Sequence, residues 1–122
     1  MLIQVYLNEK FIETRFEDAP PVYRLAVTFQ VSDDQCAVGN CGKPIPLLEH
    51  VFEQLNVGGD LVDAEEWTTR YRANGNRSLS TTDVVIVGET AFTVAPFGWE
   101  TMSTDDLLDG INRYTASGVS QV

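Results

Sequence analysis

Residues 22–31 (VYRLAVTFQV) alternate between apolar and polar side chains, and this pattern constrains the fold more than any other in the chain. The apolar residues at odd positions from 23 to 31 would share one face of a β-strand. Arg24, Thr28 and Gln30 would share the other face, because successive side chains of a strand point to opposite sides. The sequence therefore predicts a strand with one buried face, in a sheet that other elements must cover.

Three further segments have strand character. Residues 1–7 are apolar at nearly every position, which is typical of a central strand that is buried on both faces. Val84 to Val87 and Ala91 to Val94 are β-rich runs separated by Gly88-Glu89-Thr90, a length suited to a hairpin. These segments predict a largely antiparallel sheet of about four strands.

Apolar residues recur at helical spacing in residues 46–56, and a second helix is expected from Asp63, where Glu66 would complete a capping box. A third helix should run from Asp105 to about Tyr114, capped by Ser103 or Thr104. Residues 9–18 fit either a short exposed strand or one helical turn. The order of elements predicts an α+β fold with two to three helices on one face of the sheet, in a single domain over residues 1–122.

The composition excludes several classes of protein. With 43% hydrophobic residues the chain can bury a core, so disorder, collagen and a disulfide scaffold are ruled out. A net charge of −10 opposes direct binding to nucleic acid or to an anionic membrane surface. The N-terminus does not resemble a secretory signal and no apolar run is long enough to cross a bilayer, so a cytoplasmic location is expected.

The two cysteines, Cys36 and Cys41, lie in a loop-like segment nine or more residues before His50. A metal site would need these three ligands and an acid such as Glu49 or Asp34, but the short Cys-x-x-Cys spacing of zinc sites is missing. A disulfide would require an oxidising compartment. We therefore favour two reduced loop cysteines, and we expect no metal and no cofactor.

Acidic residues cluster in two parts of the sequence. Six fall within residues 49–66, and three more, Asp105, Asp106 and Asp109, lie near the C-terminus. Such clusters usually serve solubility, but an acidic face can also dock onto a basic protein surface, in place of the phosphates of DNA. The predicted contact residues for such a partner are Glu65, Glu66, Asp105 and Asp106.

Three of the eight basic residues fall between positions 70 and 77, next to a serine-rich turn. Guanidinium groups pair with phosphate, and a glycine turn can present backbone donors to an anion. An alternative hypothesis is therefore a small-ligand or nucleotide site formed by Arg70, Arg72, Arg77, Ser78 and Ser80. The same residues can instead be structural, with the arginines neutralising nearby acids and the serines bonding turn backbone.

One motif in this region resembles a known family. Residues 77–80 (RSLS), Asp83-Val84-Val85 and Phe97-Gly98-Trp99 are similar to the RSLSxxDVV…FG[FW] pattern of small proteins of actinobacteria, their phages and plasmids, and to YodL-like domains of mobile elements. The likeness covers residues 70–101, and Ala95-Pro96 departs from it, because a small residue followed by serine is usual there. The resemblance implies a source and a shared local structure, with no established activity.

A catalytic set is hard to assemble from this sequence. His50 is the single histidine, and it lies beside Glu49 on a helix face where it has no evident nucleophile to activate. We therefore expect a non-enzymatic accessory protein of a phage or mobile element that binds a basic protein partner. Its specific form would be an acidic inhibitor of a nucleic-acid-acting or defence enzyme. A homodimer is a further possibility if the strand at 22–31 has a free edge.

Overall fold

A computed structural model of the chain describes residues 1–37, 42–57 and 64–116. In chain order the elements are β1 (Leu2–Asn8), α1 (Phe11–Glu17), β2 (Tyr23–Gln30), a 3-10 turn (Asp33–Cys36), α2 (Ile45–Val57), α3 (Glu66–Ala73), β3 (Val84–Val87), β4 (Thr90–Val94), β5 (Trp99–Met102) and α4 (Thr104–Ala116).

The strands form one antiparallel sheet in the order β2-β1-β3-β4-β5, in which β1 lies between β2 and β3. The predicted α+β class, the antiparallel sheet and the β3–β4 hairpin are confirmed. The sequence missed β5, which is only four residues long and exposes Glu100 and Thr101. Residues 9–18, for which the sequence fitted either a short strand or one helical turn, contain helix α1.

Helices α2 and α3 cover one face of the sheet, which we call the α2/α3 face. Residues at alternate positions of the strands, such as Val5 and Val85, pack there against Leu48 and Val51 of α2 and Tyr71 of α3. The aromatic ring of Phe29 on β2 also stacks on the ring of Trp67 of α3, with 4.0 Å between centroids. This face holds the larger part of the core.

Helix α4 covers the opposite face, which we call the α4 face. Val84 and Ile86, which alternate with the residues of the first core, pack with Tyr23 and with Leu107 of α4. Gly110 of α4 lies directly against the Tyr23 ring, where a Cβ would come within 2.5 Å of Cε2. The prediction that the helices share one face of the sheet is therefore wrong, because both faces of β3 are apolar and both need a cover.

A β-bulge in β2 changes the predicted alternation. Val27 pairs with Val5 and Leu25 pairs with Tyr6, so Ala26 has no opposing residue. One extra residue shifts every side chain before it to the other face. Tyr23 consequently packs on the α4 face, whereas Val27 and Phe29 pack on the α2/α3 face. The prediction that the odd-numbered residues from 23 to 31 all share one face of the strand is therefore wrong, because the bulge separates Tyr23 from Val27 and Phe29.

The predicted ends of the helices have different outcomes. Ser103 is the cap of α4, since its Oγ accepts a hydrogen bond from the Asp106 amide at 3.1 Å. Helix α3 begins at Glu66, and the predicted cap Asp63 lies outside the described residues.

Of the two cysteines, Cys41 also lies outside the described residues, while Cys36 is half-buried. No helix in the described parts of the chain has both the length and the apolarity needed to cross a membrane.

Candidate functional site

Asp83, at the start of β3, forms a buried ion pair with Arg77. The Asp83 carboxylate is fully buried, and both of its oxygens accept hydrogen bonds of 2.7 Å from the two terminal nitrogens of the guanidinium. This two-pronged geometry is the strong form of an arginine–carboxylate contact. Burial is the largest single influence and lowers the pKa of Arg77, but the hydrogen bonds that Arg77 donates to Asp83 and the nearby negative charges together outweigh it, so the pKa of Arg77 is raised.

Backbone groups complete the hydrogen bonding of this pair. The Asp83 carboxylate also accepts from the amides of Asn8 at 2.8 Å and Ser80 at 2.7 Å, and the Asn8 carbonyl accepts from Arg77 at 2.9 Å. The pair therefore connects the end of β1 to the loop before β3. We call Asn8, Arg77, Ser80 and Asp83 the Asp83 anchor. Asn8 could not be identified from the sequence, because its partner Asp83 is 75 residues away.

Two aromatic side chains cover the anchor. The Tyr71 hydroxyl donates to the Arg77 carbonyl, and the Phe11 ring lies 4.1 Å from the Arg77 guanidinium carbon. Burial, with a smaller effect of the Asp83 charge, raises the pKa of Tyr71 to about 12. The motif at 77–83 thus has a clear structural role in this chain.

The residues predicted to form an anion site do not converge. Arg70 donates to Glu66 and to the Thr28 carbonyl, and Arg72 donates to the Leu55 carbonyl. With Arg77 bound to Asp83, all three guanidiniums have protein acceptors, and Ser78 is exposed. A ligand at Arg70, Arg72, Arg77, Ser78 and Ser80 stays a prediction.

The predicted acidic contact residues lie on opposite faces of the sheet. Glu65 directly precedes α3 and lies 3.3 Å from His50 Nε2, while Glu66 is the first residue of α3 and pairs with Arg70 at 2.8 Å. Asp105 and Asp106 lie in the first turn of α4. The four residues therefore form two separate surfaces; in the one at α3, Glu66 has an ion pair with Arg70 and Glu65 contacts the His50 ring.

Three aspartates on α4 form a surface that we call the acidic patch, Asp105, Asp106 and Asp109. All three are exposed, and none has an ion pair with any residue in the described parts of the chain. Leu108, 47% exposed, lies among them. The patch combines negative charge that is in no ion pair among the described residues with one partly exposed apolar side chain.

The aromatic part of the motif divides into a buried and an exposed residue. Trp99 is buried at the start of β5, where its ring meets Phe52 edge-on and its Nε1 donates to Glu49 at 3.3 Å. Phe97, in the loop between β4 and β5, is 97% exposed. Trp99 therefore serves the core, whereas Phe97 contributes nothing to it.

A cleft of about 360 Å³ lies between α1, the loop before β3 and the β4–β5 hairpin; we call it the threonine cleft. Its polar lining includes four threonines, Thr14, Thr81, Thr82 and Thr93, together with Arg15 and Glu100. No sequence motif predicts this cleft, because its residues come from several elements that are far apart along the chain.

No group of three cysteine, histidine or acidic side chains comes together as metal ligands within residues 1–37, 42–57 and 64–116. No protein-family model, curated protein or solved structure matches the chain.

Proposed function

We propose that the protein acts without catalysis by binding another protein, and that the acidic patch on α4 docks onto a basic surface of that partner. The observation that supports this most is the state of the three aspartates. They are exposed and unpaired around an exposed leucine, whereas the acids that begin α3 are engaged by His50 and Arg70.

The acidic patch destabilises α4 in the free protein. Asp105 and Asp109 are four residues apart on the helix, a spacing at which like charges destabilise it. The helix dipole compensates the acids of the first turn, but its effect fades before Asp109. A basic partner would remove this repulsion, and Leu108 would supply an apolar contact inside a polar rim, as in many protein interfaces.

The specific form of the proposal is that the partner is a nucleic-acid-acting enzyme. Such an enzyme presents a basic surface to phosphates, and carboxylates on a rigid helix can occupy that surface instead. The net charge of −10 would accelerate the encounter. The resemblance to proteins of phages and plasmids supports this form, since such elements gain from inhibiting host nucleases.

The test compares two triple variants of equal charge. Asp105→Lys, Asp106→Lys and Asp109→Lys reverse the acidic patch, while Glu17→Lys, Glu53→Lys and Glu89→Lys make the same net change at exposed acids of other elements. Each tagged protein is used for affinity capture from actinobacterial lysate at low and moderate salt. Retained proteins are then purified and their affinity for each variant is measured directly.

We expect a basic nucleic-acid-binding protein to bind the native chain and the control variant, to dissociate as salt rises, and to lose binding to the patch variant. An equal loss of binding in both variants would show a non-specific effect of net charge and would overturn the assignment of the acidic patch as the docking surface. Failure to retain any such protein at low salt would overturn the proposal as a whole.

A further inference from the structure

We propose that the partner of the acidic patch supplies a basic amphipathic helix, which packs beside α4 on a part of the sheet that α4 leaves open. This proposal rests on the proposed function, because it names the element by which the same partner binds. Three observations support it: the unequal cover of the two sheet faces, the apolar surface beside α4 and the charges that border this surface.

The two faces of the sheet are covered unequally. Helices α2 and α3 pack on the α2/α3 face, whereas α4 is the one helix of the described residues that packs on the core of the opposite face. A helix is about 10 Å wide and neighbouring strands are about 4.8 Å apart, so one helix covers roughly two strands. The α4 face of this five-stranded sheet therefore has room for a further helix.

The open part of the α4 face lies over the later residues of β2 and the first residues of β1. Helix α4 begins directly after β5, and Arg113 in its last turn donates to the Pro21 carbonyl, just before β2, at 2.9 Å. Ile111 is two residues from Arg113, which is about 200° around the helix, so it faces away from Pro21 and towards the rest of β2. Leu108, three residues before Ile111, lies on the same flank of α4.

This open surface exposes a cluster of leucines, and we call it the leucine corner. Its members are Leu2, Gln4, Leu25, Thr28, Leu108 and Ile111. The strand residues face α4, because Leu2, Gln4 and Thr28 alternate with residues of the first core and Leu25 shares the face of Tyr23. Three of the seven large apolar side chains that are exposed among the described residues lie here, namely Leu2 (41%), Leu25 (44%) and Leu108. Exposed apolar side chains that cluster in this way are typical of interaction sites.

The charge that borders the leucine corner on α4 is negative. Asp105 and Asp109 lie on either side of Leu108 along the helix, and neither has an ion pair within the described residues. The amino group of Met1 at the other border is paired with Asp33 at 3.3 Å. A second copy of the chain would bring the same aspartates and a further charge of −10 to the contact. Charge complementarity therefore favours a basic partner over a homodimer.

The shape of the leucine corner favours a helix over a strand. A strand would have to pair with the edge of β2, where Arg70 already binds the Thr28 carbonyl at 3.0 Å. On α4, Leu108 and Ile111 are three residues apart and belong to a ridge of side chains against which a second helix can pack. Leucines at helical spacing would then contact this ridge and the sheet, while lysines at the margin of the same helix would face the aspartates.

The test uses two synthetic peptides of about 18 residues that contain the same leucines, alanines and lysines. In the first peptide the leucines recur every third or fourth residue and share one helix face, and in the second they are rearranged so that no face is apolar. Each peptide is titrated into the isotope-labelled full chain and followed by amide chemical shifts. We expect the amphipathic peptide to give saturable shifts at Leu2, Leu25 and Leu108, and to bind about tenfold or more tightly than the rearranged one.

Two variants locate the site. Leu25→Gln should weaken the amphipathic peptide by about tenfold and leave the rearranged peptide unaffected. Phe97→Gln, the control, removes an apolar side chain that is 97% exposed in the β4–β5 loop, and it should leave the binding of both peptides unchanged. Melting temperatures establish that each variant is folded, and Leu108→Gln, on the other wall of the leucine corner, repeats the test if Leu25→Gln is not. Equal effects of the leucine and phenylalanine variants would contradict the site.

The peptides also separate this inference from the proposed function. Equal binding of the two peptides, abolished when Asp105, Asp106 and Asp109 are replaced by lysine, would overturn the helix but not the docking surface. A lack of binding by both peptides at low salt would overturn both proposals. If ultracentrifugation of the free chain detected a dimer that Leu25→Gln dissociates, the leucine corner would belong to a second copy and the basic helix would be wrong.

Discussion

Asp83 is the residue on which the loop before β3 depends. Its buried carboxylate has four hydrogen bonds, two of them from Arg77. Removing one partner of a buried ion pair is costly because the other charge stays buried without compensation. Asp83→Asn should lower the free energy of unfolding by about 3 kcal/mol or more, measured by urea denaturation at pH 7.

The control for this prediction is Glu66→Gln, which removes the exposed partner of Arg70. Exposed ion pairs contribute little, so no clear change in the urea midpoint is expected. If the two variants lost the same stability, the Asp83 anchor would have no special role in the fold.

Tyr71 makes stability depend on pH in the alkaline range. Burial raises the pKa of Tyr71 to about 12, and the pKa of Tyr23 is also raised to about 12. The native state holds these phenol protons more tightly than the unfolded chain, whose tyrosines titrate near pH 10. The stabilisation is therefore complete below about pH 10 and is lost as the pH rises towards 12.

Denaturation curves at pH 8, 10 and 11 would check this expectation. The free energy of unfolding of the native chain should fall steeply above pH 10, and that of Tyr71→Phe should fall less steeply. At pH 8 the variant should be about 1 kcal/mol less stable, because it lacks the hydrogen bond from the Tyr71 hydroxyl to the Arg77 carbonyl. Parallel pH profiles for the two proteins would contradict the assignment of this loss to Tyr71.

Residues that bond to one another could be identified from the sequence only where they lie close together along the chain. Arg77, Ser80 and Asp83 lie within one short motif and were singled out there, although their shared role as an anchor emerges only with Asn8. Thr82 could not have been found, because nothing in its residue type indicates a left-handed backbone. That conformation follows from contacts made by distant strands.

At the scale of elements, periodicity located the strands and helices but did not determine which face each one covers. The bulge at Ala26 inverts the first part of β2, and no proline or glycine marks it. The single inserted residue also explains how α4 reaches the sheet, because it turns Tyr23 towards Gly110. The bulge thus adds Tyr23 to the second core, which Val84 and Ile86 of β3 form with α4.

Both edge strands have an outward carbonyl that is capped by a basic side chain. Met1 and Val31 exchange hydrogen bonds, so the alternation of an antiparallel pair turns the Thr28 carbonyl of β2 away from β1, where Arg70 binds it at 3.0 Å. On β5, Lys43 binds the Trp99 carbonyl at 2.7 Å. These caps reduce the tendency of each edge to pair with another strand. A homodimer through β2 stays a prediction that must overcome the cap from Arg70.

The contact between α4 and the sheet predicts the effect of a single methyl group. Gly110→Ala would improve helix propensity by roughly 1 kcal/mol, but its Cβ would overlap the Tyr23 ring. Overpacking of a core typically costs about 1 to 3 kcal/mol, so the net effect should be a lower melting temperature. Asn112→Ala, at an exposed position of the same helix, should raise it. Stabilisation by both alanines would show that α4 does not rest on Tyr23.

At the scale of the whole molecule, the net charge of −10 makes the folded state repel itself. The Debye length is about 30 Å at 10 mM salt and about 8 Å at physiological ionic strength. A domain of this size has a radius of gyration near 13 Å, so at low salt every charge acts on every other. The melting temperature should therefore rise as sodium chloride increases from about 10 to 150 mM.

Asp109→Asn tests whether the acidic patch contributes to this repulsion. The variant removes a charge that lies four residues from Asp105 and that forms no ion pair with a basic side chain in the described parts of the chain, since Arg113, four residues further on, donates to the Pro21 carbonyl. It should raise the melting temperature at 10 mM salt, and the gain should shrink as salt screens the pair. Glu66→Gln removes the same charge but also loses the pair with Arg70, so it should show no such gain. A gain that is independent of salt would mean that Asp109 is unfavourable for reasons other than charge, and the acidic patch would lose its basis as an electrostatic surface.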